Sequence, residues 1–350
     1  MESENVLRGE VSVERTGKEL LDATRPFGSE SKFRSWWSAG STVLLLGVVL
    51  VGAAVAPWWP LRLGASLMGG LLLVRAFILY HDVMHKSLFR DSAFARAVFQ
   101  LFGMILLAPP RYWRSTHNFH HANVGKPIRQ EIGASLLVTS DIGAFPLMTT
   151  GMWREVSFWQ RLRYRVSRHP LTLLAAYVTV FFLNLSLIPL LQNPKKFWDG
   201  AVSILAHGAV VAGLCVFFGV TTACFAFLLP FTIAAAAGAY LFFAQHNYEG
   251  MNVLKPEEWT YYRGATESSS FMRMSRVTHW FTGNIGYHHL HHLNPLIPFY
   301  RLPEAMAAVP ELQHPQATSL RPRDIFACLR LNLWDPERQR LVTYRDAGKT

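Results

Sequence analysis

The sequence predicts an all-α integral membrane protein with four transmembrane helices and two interfacial or re-entrant segments. Of its 350 residues, 51% are hydrophobic and only 16% are charged. Long apolar runs alternate with polar segments that are rich in arginine and histidine. About 20 apolar residues in a helix match the thickness of a bilayer, so these runs indicate membrane spans.

The net charge and the cysteines further narrow the class of protein and the kinds of partner that it can bind. The formal net charge is +11, from 34 basic and 23 acidic residues. A strongly basic protein favours nucleic acid or an anionic membrane face, and the apolar runs favour the membrane, so no nucleic-acid partner is expected. The three cysteines, Cys215, Cys224 and Cys328, suggest neither a disulfide framework nor a metal-binding pair.

The first two spans are expected to form a hairpin. Tryptophan pairs, Trp36–Trp37 and Trp58–Trp59, flank the apolar run 36–60, and indoles prefer the membrane–water interface. The residues between them rise about 30 Å as a helix, which is one hydrocarbon thickness. The run 61–80 then returns across the bilayer and ends at His81.

The later apolar stretches differ in length. The stretch 93–108 is too short to span, and 170–191 is interrupted by Asn184 and followed by lysines, so both predict interfacial or re-entrant segments. The stretches 200–219 and 222–245 predict a second hairpin of spans. The domain boundaries expected are an N-terminal cytoplasmic tail at 1–34, a membrane domain at 35–305 and a C-terminal cytoplasmic tail at 306–350.

Most of the 14 histidines fall into three clusters, HDVMH, HNFHH and HHLHH. Their members are spaced i, i+4 or i, i+3, i+4, so each cluster lies on one helical face. Imidazole binds iron, zinc, copper and nickel, and eight ligands are too many for one four-coordinate ion but suit two. The spacing leaves the metal open. The eight clustered histidines are His81, His85, His117, His120, His121, His288, His291 and His292.

The other histidines receive separate interpretations. His246 ends the last apolar run and is expected to complete the metal shell, since ionisable residues at a membrane edge tend to be functional, although a structural interface role stays open. His207, inside a span, is expected to be hydrogen-bonded within the bundle. His289 is expected to pack beside the ligands. No role is assigned to His169, His279 and His314.

A shared metal site constrains the topology. All of its ligands must lie on one side of the bilayer, so an even number of crossings must separate Arg168 from His246. Three apolar stretches lie between them, and 170–191 is the one expected not to cross. The site then lies in a cytoplasmic helical cap, because the arginines of 109–169 indicate a cytoplasmic segment.

These motifs resemble those of a known family. HDVMHKSLF, YWRSTHNFHHANVGK and GNIGYHHLHHLNPLIPFYRLPEA are similar to the three histidine boxes of membrane fatty acid desaturases, most closely bacterial omega-6-type acyl-lipid desaturases. FFAQHNYEG resembles the segment that holds an additional histidine in that group. The resemblance covers about residues 35–305. It implies a di-iron centre held by the eight clustered histidines and His246, O2 as co-substrate, and a fatty acyl chain as the substrate that receives a double bond.

The resemblance also implies positioning groups and partners. The two electrons would come from a separate donor, ferredoxin or cytochrome b5 with its reductase, and a basic cytoplasmic face suits an acidic partner. An apolar tunnel between the spans would hold the acyl chain, with its depth selecting the carbons that react. Asp82, Glu249 and Asn284 are candidates to orient ligand imidazoles, with solvated charge or turn formation as equal alternatives. No catalytic residue beyond the metal ligands is expected.

One position departs from the family pattern. Phe242 stands where related animal-type desaturases place a water-bridged asparagine, a role left unfilled or met by Gln245 or Asn247.

Two other functions stay open. The same boxes serve hydroxylases or ketolases of alkanes, sterols or carotenoids. A metal transporter or sensor would need polar residues through several spans, and the spans hold few, such as His207 and Asn184.

Overall fold

The structure is a computed structural model that describes residues 15–126 and 145–347. Helices make up most of it, with single 3-10 turns at Arg25–Gly28, Phe299–Arg301 and Pro310–Leu312. In chain order the helices are α1 (Gly17–Thr24), α2 (Lys32–Val55), α3 (Trp59–His85), α4 (Ala93–Ile105), α5 (Pro110–Asn123), α6 (Thr150–Glu155), α7 (Phe158–Ser167), α8 (Pro170–Leu174), α9 (Tyr177–Gln192), α10 (Asp199–Phe218), α11 (Val220–Ala244), α12 (Tyr261–Glu267), α13 (Arg276–Phe281), α14 (His288–Leu293), α15 (Leu302–Ala308), α16 (Pro322–Arg330) and α17 (Tyr344–Ala347).

Four helices in the described ranges, α2, α3, α10 and α11, are long and apolar enough to cross a membrane. This confirms the four spans predicted from the sequence. The most apolar part of α10 has a mean hydropathy of 2.2, yet only 11% of it is buried inside the protein. A helix with so much exposed apolar surface requires lipid rather than water around it.

The tryptophan pairs mark the two ends of the first span. Trp36 and Trp37 are 48% and 68% exposed at the start of α2, and Trp58 and Trp59 are similarly exposed at its far end. Exposed indoles at both ends of an apolar helix form the aromatic belts of a membrane protein.

The helix α3 lies at the centre of the bundle, between α2 and α11. Its glycines allow α11 to approach closely: a Cβ atom on Gly70 would lie 2.6 Å from Ile233 Cγ2 and 3.1 Å from the Pro230 carbonyl oxygen. Such close packing fixes the helix pair at one depth, because no side chain separates the two backbones there.

The segment between the two hairpins bends sharply. The axes of α4 and α5 differ by 94°, and Pro109 and Pro110 at the bend cannot continue the hydrogen-bond ladder of α4. As a helix of 13 residues, α4 extends about 20 Å, which is shorter than a bilayer core. Ser203 of α10 donates to the Met104 carbonyl at 2.6 Å and holds α4 against the bundle.

The helix α9 begins with wide π-helical turns over Tyr177–Leu187. The residue before α8 and the residue that begins α10, on either side of the segment formed by α8 and α9, both contact residues close to the histidine clusters. Before α8, Arg168 binds the Asn247 side chain next to His246. After α9, Asp199 Oδ2 accepts from the Arg111 backbone N–H at 2.8 Å.

The polar cap (residues 15–31, 110–126, 145–169 and 246–347) departs from the all-α prediction, because short strands tie its distant segments together. In the described residues, β1 (Met148–Thr149) pairs in parallel with β4 (Leu333–Asp335), which pairs antiparallel with β5 (Arg340–Val342). A second pair joins β2 (Phe271–Arg273) and β3 (Ala317–Ser319). Residues 317–342, expected as part of a tail, are therefore packed into the cap.

Packing between α3 and α11 is tested by enlarging one glycine. Gly70→Leu should destabilise the protein by about 1 to 3 kcal/mol, because the new side chain overlaps Ile233. The matched control is Gly64→Leu, where a Cβ atom meets nothing within 4 Å. The midpoint of thermal unfolding in detergent should fall for the first variant only, and equal midpoints would show that the two helices are not in close contact.

Candidate metal centre

Four separate segments deliver nine histidines to one end of the bundle. The last turn of α3 carries two, α5 carries three, α14 carries three, and His246 follows the end of α11. Apart from His85, each of the nine is at most 8% exposed. The i, i+4 and i, i+3, i+4 spacings place each cluster on one helical face, as expected from the sequence.

The structure divides these histidines into two groups. Within each group, the candidate ligand nitrogens all lie within 4.8 Å of one another. The first group, called group A, combines two histidines of α3 with two of α5 and one of α14; the second, group B, is completed by His246. Group A is His81, His85, His117, His121 and His291, and group B is His120, His246, His288 and His292.

The nitrogens within each group are spaced like the ligands of a metal ion. In group A, His117 Nε2 lies 3.0 Å from His81 Nε2 and 3.2 Å from His121 Nε2. In group B, His246 Nε2 lies 3.0 Å from His120 Nε2 and 2.9 Å from His288 Nε2. Imidazole nitrogens bind a divalent ion such as zinc at about 2.1 Å, so two ligands at right angles lie about 3 Å apart. The histidines therefore fit one ion in each group.

The interior keeps these imidazoles neutral, which is the form that binds metal. Burial lowers the pKa of His246 to about 4, and the carbonyl of Ser268 only partly opposes this effect. Burial, followed by the neighbouring imidazoles, holds the pKa of His288, His291 and His292 well below the ordinary value. No proton has to leave these rings at neutral pH before an ion binds.

An apolar cavity of about 170 Å³ reaches both groups from the membrane side. His81 and His117 of group A and His288 of group B line its upper end. Side chains of α3, α9 and α11 form its walls, and most of them are aliphatic or aromatic. The cavity can therefore hold an elongated apolar molecule with its upper part against both groups.

Comparison with known proteins identifies the family. The fatty acid desaturase family model matches residues 57–323, a range that contains all nine histidines. The chain belongs to the fatty acid desaturase family. It is accordingly an oxidoreductase, and its histidine clusters are the histidine boxes of that family.

Three relatives illustrate the similarity. A fatty acid desaturase of Bacillus subtilis (strain 168) is 29% identical over 290 residues, covering 81% of this chain and 78% of that protein. The sn-1 oleoyl-lipid 12-desaturase of Anabaena variabilis is 28% identical over 192 residues, covering 48% and 54%. The sn-1 acyl-lipid omega-3 desaturase (ferredoxin) of Nostoc sp. (strain 36) is 23% identical over 284 residues, covering 76% and 72%.

Two of the nine histidines in this desaturase, His81 and His246, have orienting groups on the ring nitrogen that faces away from their histidine group. His81 Nδ1 lies 3.0 Å from Asp82 Oδ1, and Asp82 Oδ2 accepts from the Phe299 backbone N–H at 2.8 Å. His246 Nδ1 lies 3.1 Å from the Ser268 carbonyl oxygen, which accepts its N–H. Such contacts fix the tautomer and leave the Nε2 lone pair for a metal.

The other candidate orienting residues lie elsewhere. Glu249 is exposed, so it does not orient a buried imidazole. Asn284 donates from Nδ2 to the Phe299 carbonyl at 3.0 Å and reaches the histidines only through Phe299 and Asp82. Its backbone has a φ of 54°, which identifies the turn-forming role that the sequence left open.

The remaining histidines behave largely as expected. His207 Nδ1 donates to the Ile105 carbonyl at 2.7 Å, and its Nε2 lies 2.5 Å from the Tyr177 hydroxyl. His289 is buried beside the ligands, with Nε2 3.3 Å from the Leu312 carbonyl oxygen. His169 caps α8 by accepting from the Leu171 N–H. None of these three belongs to group A or group B.

Sequence reasoning did not single out Arg168 as a site residue. This guanidinium is only 3% exposed and donates to the Asn247 side chain, to Pro146 at 2.6 Å and to Leu331 at 3.2 Å. It thereby joins α7, the residue after His246 and the C-terminal segment. The only signal in the sequence was its position at the end of an arginine-rich segment, which predicts exposure instead.

Phe242 itself borders the metal centre. Its ring centroid lies 5.0 Å from that of His120 and 5.7 Å from that of His246. Gln245 also lines the cavity and donates to the Ile285 carbonyl at 2.8 Å, whereas Asn247 is bound to Arg168. Of the two substitutes suggested by the sequence, Gln245 is therefore the one that faces the cavity.

Metal content should depend on each group separately. His85→Ala removes a ligand from group A and His292→Ala removes one from group B, so each variant should lose the ion of its own group. The measurement is metal per chain in purified protein, by inductively coupled plasma mass spectrometry. His314→Ala is the control, because His314 lines a polar surface pocket outside both groups. Full metal content in both ligand variants would contradict the two-group arrangement.

Removing an orienting carboxylate should weaken metal binding without removing a ligand. Asp82→Ala frees the His81 ring, and loss of such a contact typically weakens affinity about 10- to 100-fold. Resistance of the bound metal to a graded series of chelators measures the effect. Asp91→Ala, which removes an exposed carboxylate paired with Lys32, should leave chelator resistance unchanged. The assignment of Asp82 as the group that orients His81 is wrong if both variants resist chelators as the wild type does.

Proposed function

We propose that this desaturase uses two iron ions and O2 to introduce a double bond into the acyl chain of a membrane lipid. The observation that carries the proposal is the meeting of one apolar cavity with both histidine groups. His117 of group A and His288 of group B line the same upper wall. A methylene held there lies beside both metal positions at once.

The histidines suit iron, because imidazole is a good ligand for that metal. Iron, when bound, supplies the O2 chemistry that breaks unactivated C–H bonds, which no side chain can do. In the overall reaction the acyl chain gives up two hydrogen atoms, and these, with two electrons and two protons, reduce one O2 to two waters. The protein positions the acyl chain, keeps the imidazoles neutral and excludes bulk water from the cavity.

The substrate class follows from where the cavity lies. Its walls come from α3, α9 and α11, so it lies among apolar helices, two of which are long enough to cross a membrane. A chain of methylenes has no polar group to leave unpaired among Leu73, Phe181 and Phe231. The relatives from Anabaena and Nostoc are named as acyl-lipid enzymes, which favours a lipid over a thioester.

The charge distribution supports a cytoplasmic active site. At the end of the bundle opposite the histidines, the connections 56–58 and Gly219 carry no charged residue. At the histidine end, basic residues are frequent in the segments that join the spans. Cytoplasmic loops carry the excess of lysine and arginine in membrane proteins. The basic residues at the histidine end include Lys32 and Arg34 at the start of α2 and Lys86, Arg90, Arg96, Arg111, Arg114 and Lys126 between α3 and α10.

The electron donor is a separate protein that docks on this basic end. The sequence contains no GxGxxG motif and no set of cysteines for an iron–sulfur cluster. An acidic donor of the ferredoxin or cytochrome b5 type is complementary to the basic residues. The names of two relatives, from Nostoc and Arabidopsis thaliana, include ferredoxin, and this favours ferredoxin as the donor.

The test is acyl-chain analysis after expression in a host with defined saturated lipids. Wild type should produce new monounsaturated chains, detected by mass spectrometry after derivatisation of the double bond. His120→Ala should abolish them, because group B loses a ligand, while His314→Ala should retain them. Hydroxylated or ketone products in place of unsaturated chains would overturn desaturation, as would unsaturation that survives in His120→Ala.

A further inference from the structure

The helix α7 carries an apolar face that points away from the protein. Four large side chains, Phe158, Trp159, Leu162 and Val166, are 70%, 70%, 41% and 50% exposed. At about 100° per residue, these four positions share one side of the helix within an arc of about 100°. A contiguous set of large apolar side chains on the outside of a protein marks an interaction surface.

The opposite side of α7 is attached to the cap. Tyr164 and Ser167 are only 3% and 1% exposed. The Tyr164 hydroxyl accepts from the Met148 backbone N–H at 3.1 Å and donates to the Asn332 carbonyl oxygen. The core of the cap therefore takes one side of the helix, and the apolar side is the outer one.

Arginines border the apolar face on both sides. Arg163 and Arg165 are exposed, and helical geometry places them about 80° to either side of the middle of that face. Residues 156–198 contain no aspartate or glutamate. An apolar stripe between two arginines is typical of a helix that lies in the plane of an anionic membrane surface, where the long cationic side chains reach back to the phosphates.

The chain connects α7 directly to a helix that faces lipid. Leu171 and Leu174 of α8 are 64% and 62% exposed, and α8 packs against the span α11. Only Arg168 and His169 separate α7 from α8, so the connection extends at most about 11 Å. This short connection keeps α7 at the edge of the membrane.

We propose that α7 is a membrane-binding helix whose partner is an anionic phospholipid surface on the metal-centre side of the bilayer. Its apolar side chains enter the headgroup region of the leaflet, and Arg163 and Arg165 bind lipid phosphates. The inference goes beyond the proposed function, because it concerns how the cap is held on the membrane. Since Arg168 at the end of α7 binds Asn247 next to His246, the leaflet also steadies a segment that supplies group B.

Spin labels in the full-length protein test where α7 lies. Labels are attached at Leu162→Cys and at Glu337→Cys, which is on an exposed turn of the cap, after Cys215→Ala, Cys224→Ala and Cys328→Ala. In lipid nanodiscs the label at 162 should collide mainly with oxygen, which concentrates in the bilayer, and the label at 337 with a water-soluble nickel chelate. Equal nickel accessibility at both labels would place α7 in water and overturn the proposal. Protection of 162 from both reagents would reveal a protein partner, such as a second copy, and would overturn it as well.

Lipid charge tests the two arginines. The label at 162 should lie deeper in discs of phosphatidylglycerol than in discs of phosphatidylcholine, because each arginine near an anionic surface favours the bound position about fivefold. Arg163→Gln combined with Arg165→Gln should remove that difference. The matched control, Arg321→Gln with Arg323→Gln, removes two exposed arginines outside α7 and should leave it unchanged. A difference that persists in the α7 double variant, or is absent before any arginine is changed, would overturn the binding of anionic lipid.

Discussion

The convergence of imidazoles from four segments on two points is the constraint on which the rest of the structure depends. Neutral histidine nitrogens about 3 Å apart, as with His246 and His288, are poor neighbours unless a proton or a cation lies between them. The arrangement also requires α3 to end, and α5, α14 and the segment after α11 to begin or end, at one face of the membrane. The topology of the spans is thus tied to the convergence of these histidines.

The cap supports this convergence by shielding the imidazole rings of both groups from water. The short β1–β4 and β2–β3 pairs bring residues from the C-terminal part of the chain over the site. Arg168 links this layer to Asn247, the residue after His246. A cation buried this deeply is costly, and its three acceptors from different segments make it a brace between α7, the last span and the C-terminal residues.

Below the metal groups, helix packing decides the shape of the cavity. Glycine lets α3 and α11 touch at Gly70, while Ala234 and Gly238, about one and two turns after Pro230, line the cavity. The same helix pair therefore is in close contact at Gly70 and lines the cavity nearer the histidines. The Tyr177–His207 pair is a polar contact beside the Phe231 ring in an otherwise apolar region.

The sequence by itself predicted the helices able to span a membrane and the histidines that the structure brings together. Hydropathy and the tryptophan pairs located the four spans, because bilayer thickness and interfacial preference act on each segment alone. Helical spacing identified the eight clustered histidines, and the requirement for a single face indicated His246. The position of His207 inside an apolar span also predicted that its side chain is hydrogen-bonded within the bundle.

Only the tertiary structure decided how these residues are grouped and surrounded. His120 and His121 are neighbours in sequence, yet they point to different groups, because partners from α3, α11 and α14 arrive from different directions. The exposure of Glu249, the contacts of Arg168, the short strands of the cap and the shape of the apolar cavity likewise depend on contacts between distant segments. Spacing along one helix fixes a direction, whereas a ligand set, a buried charge and the end of a cavity are fixed by what packs against that helix.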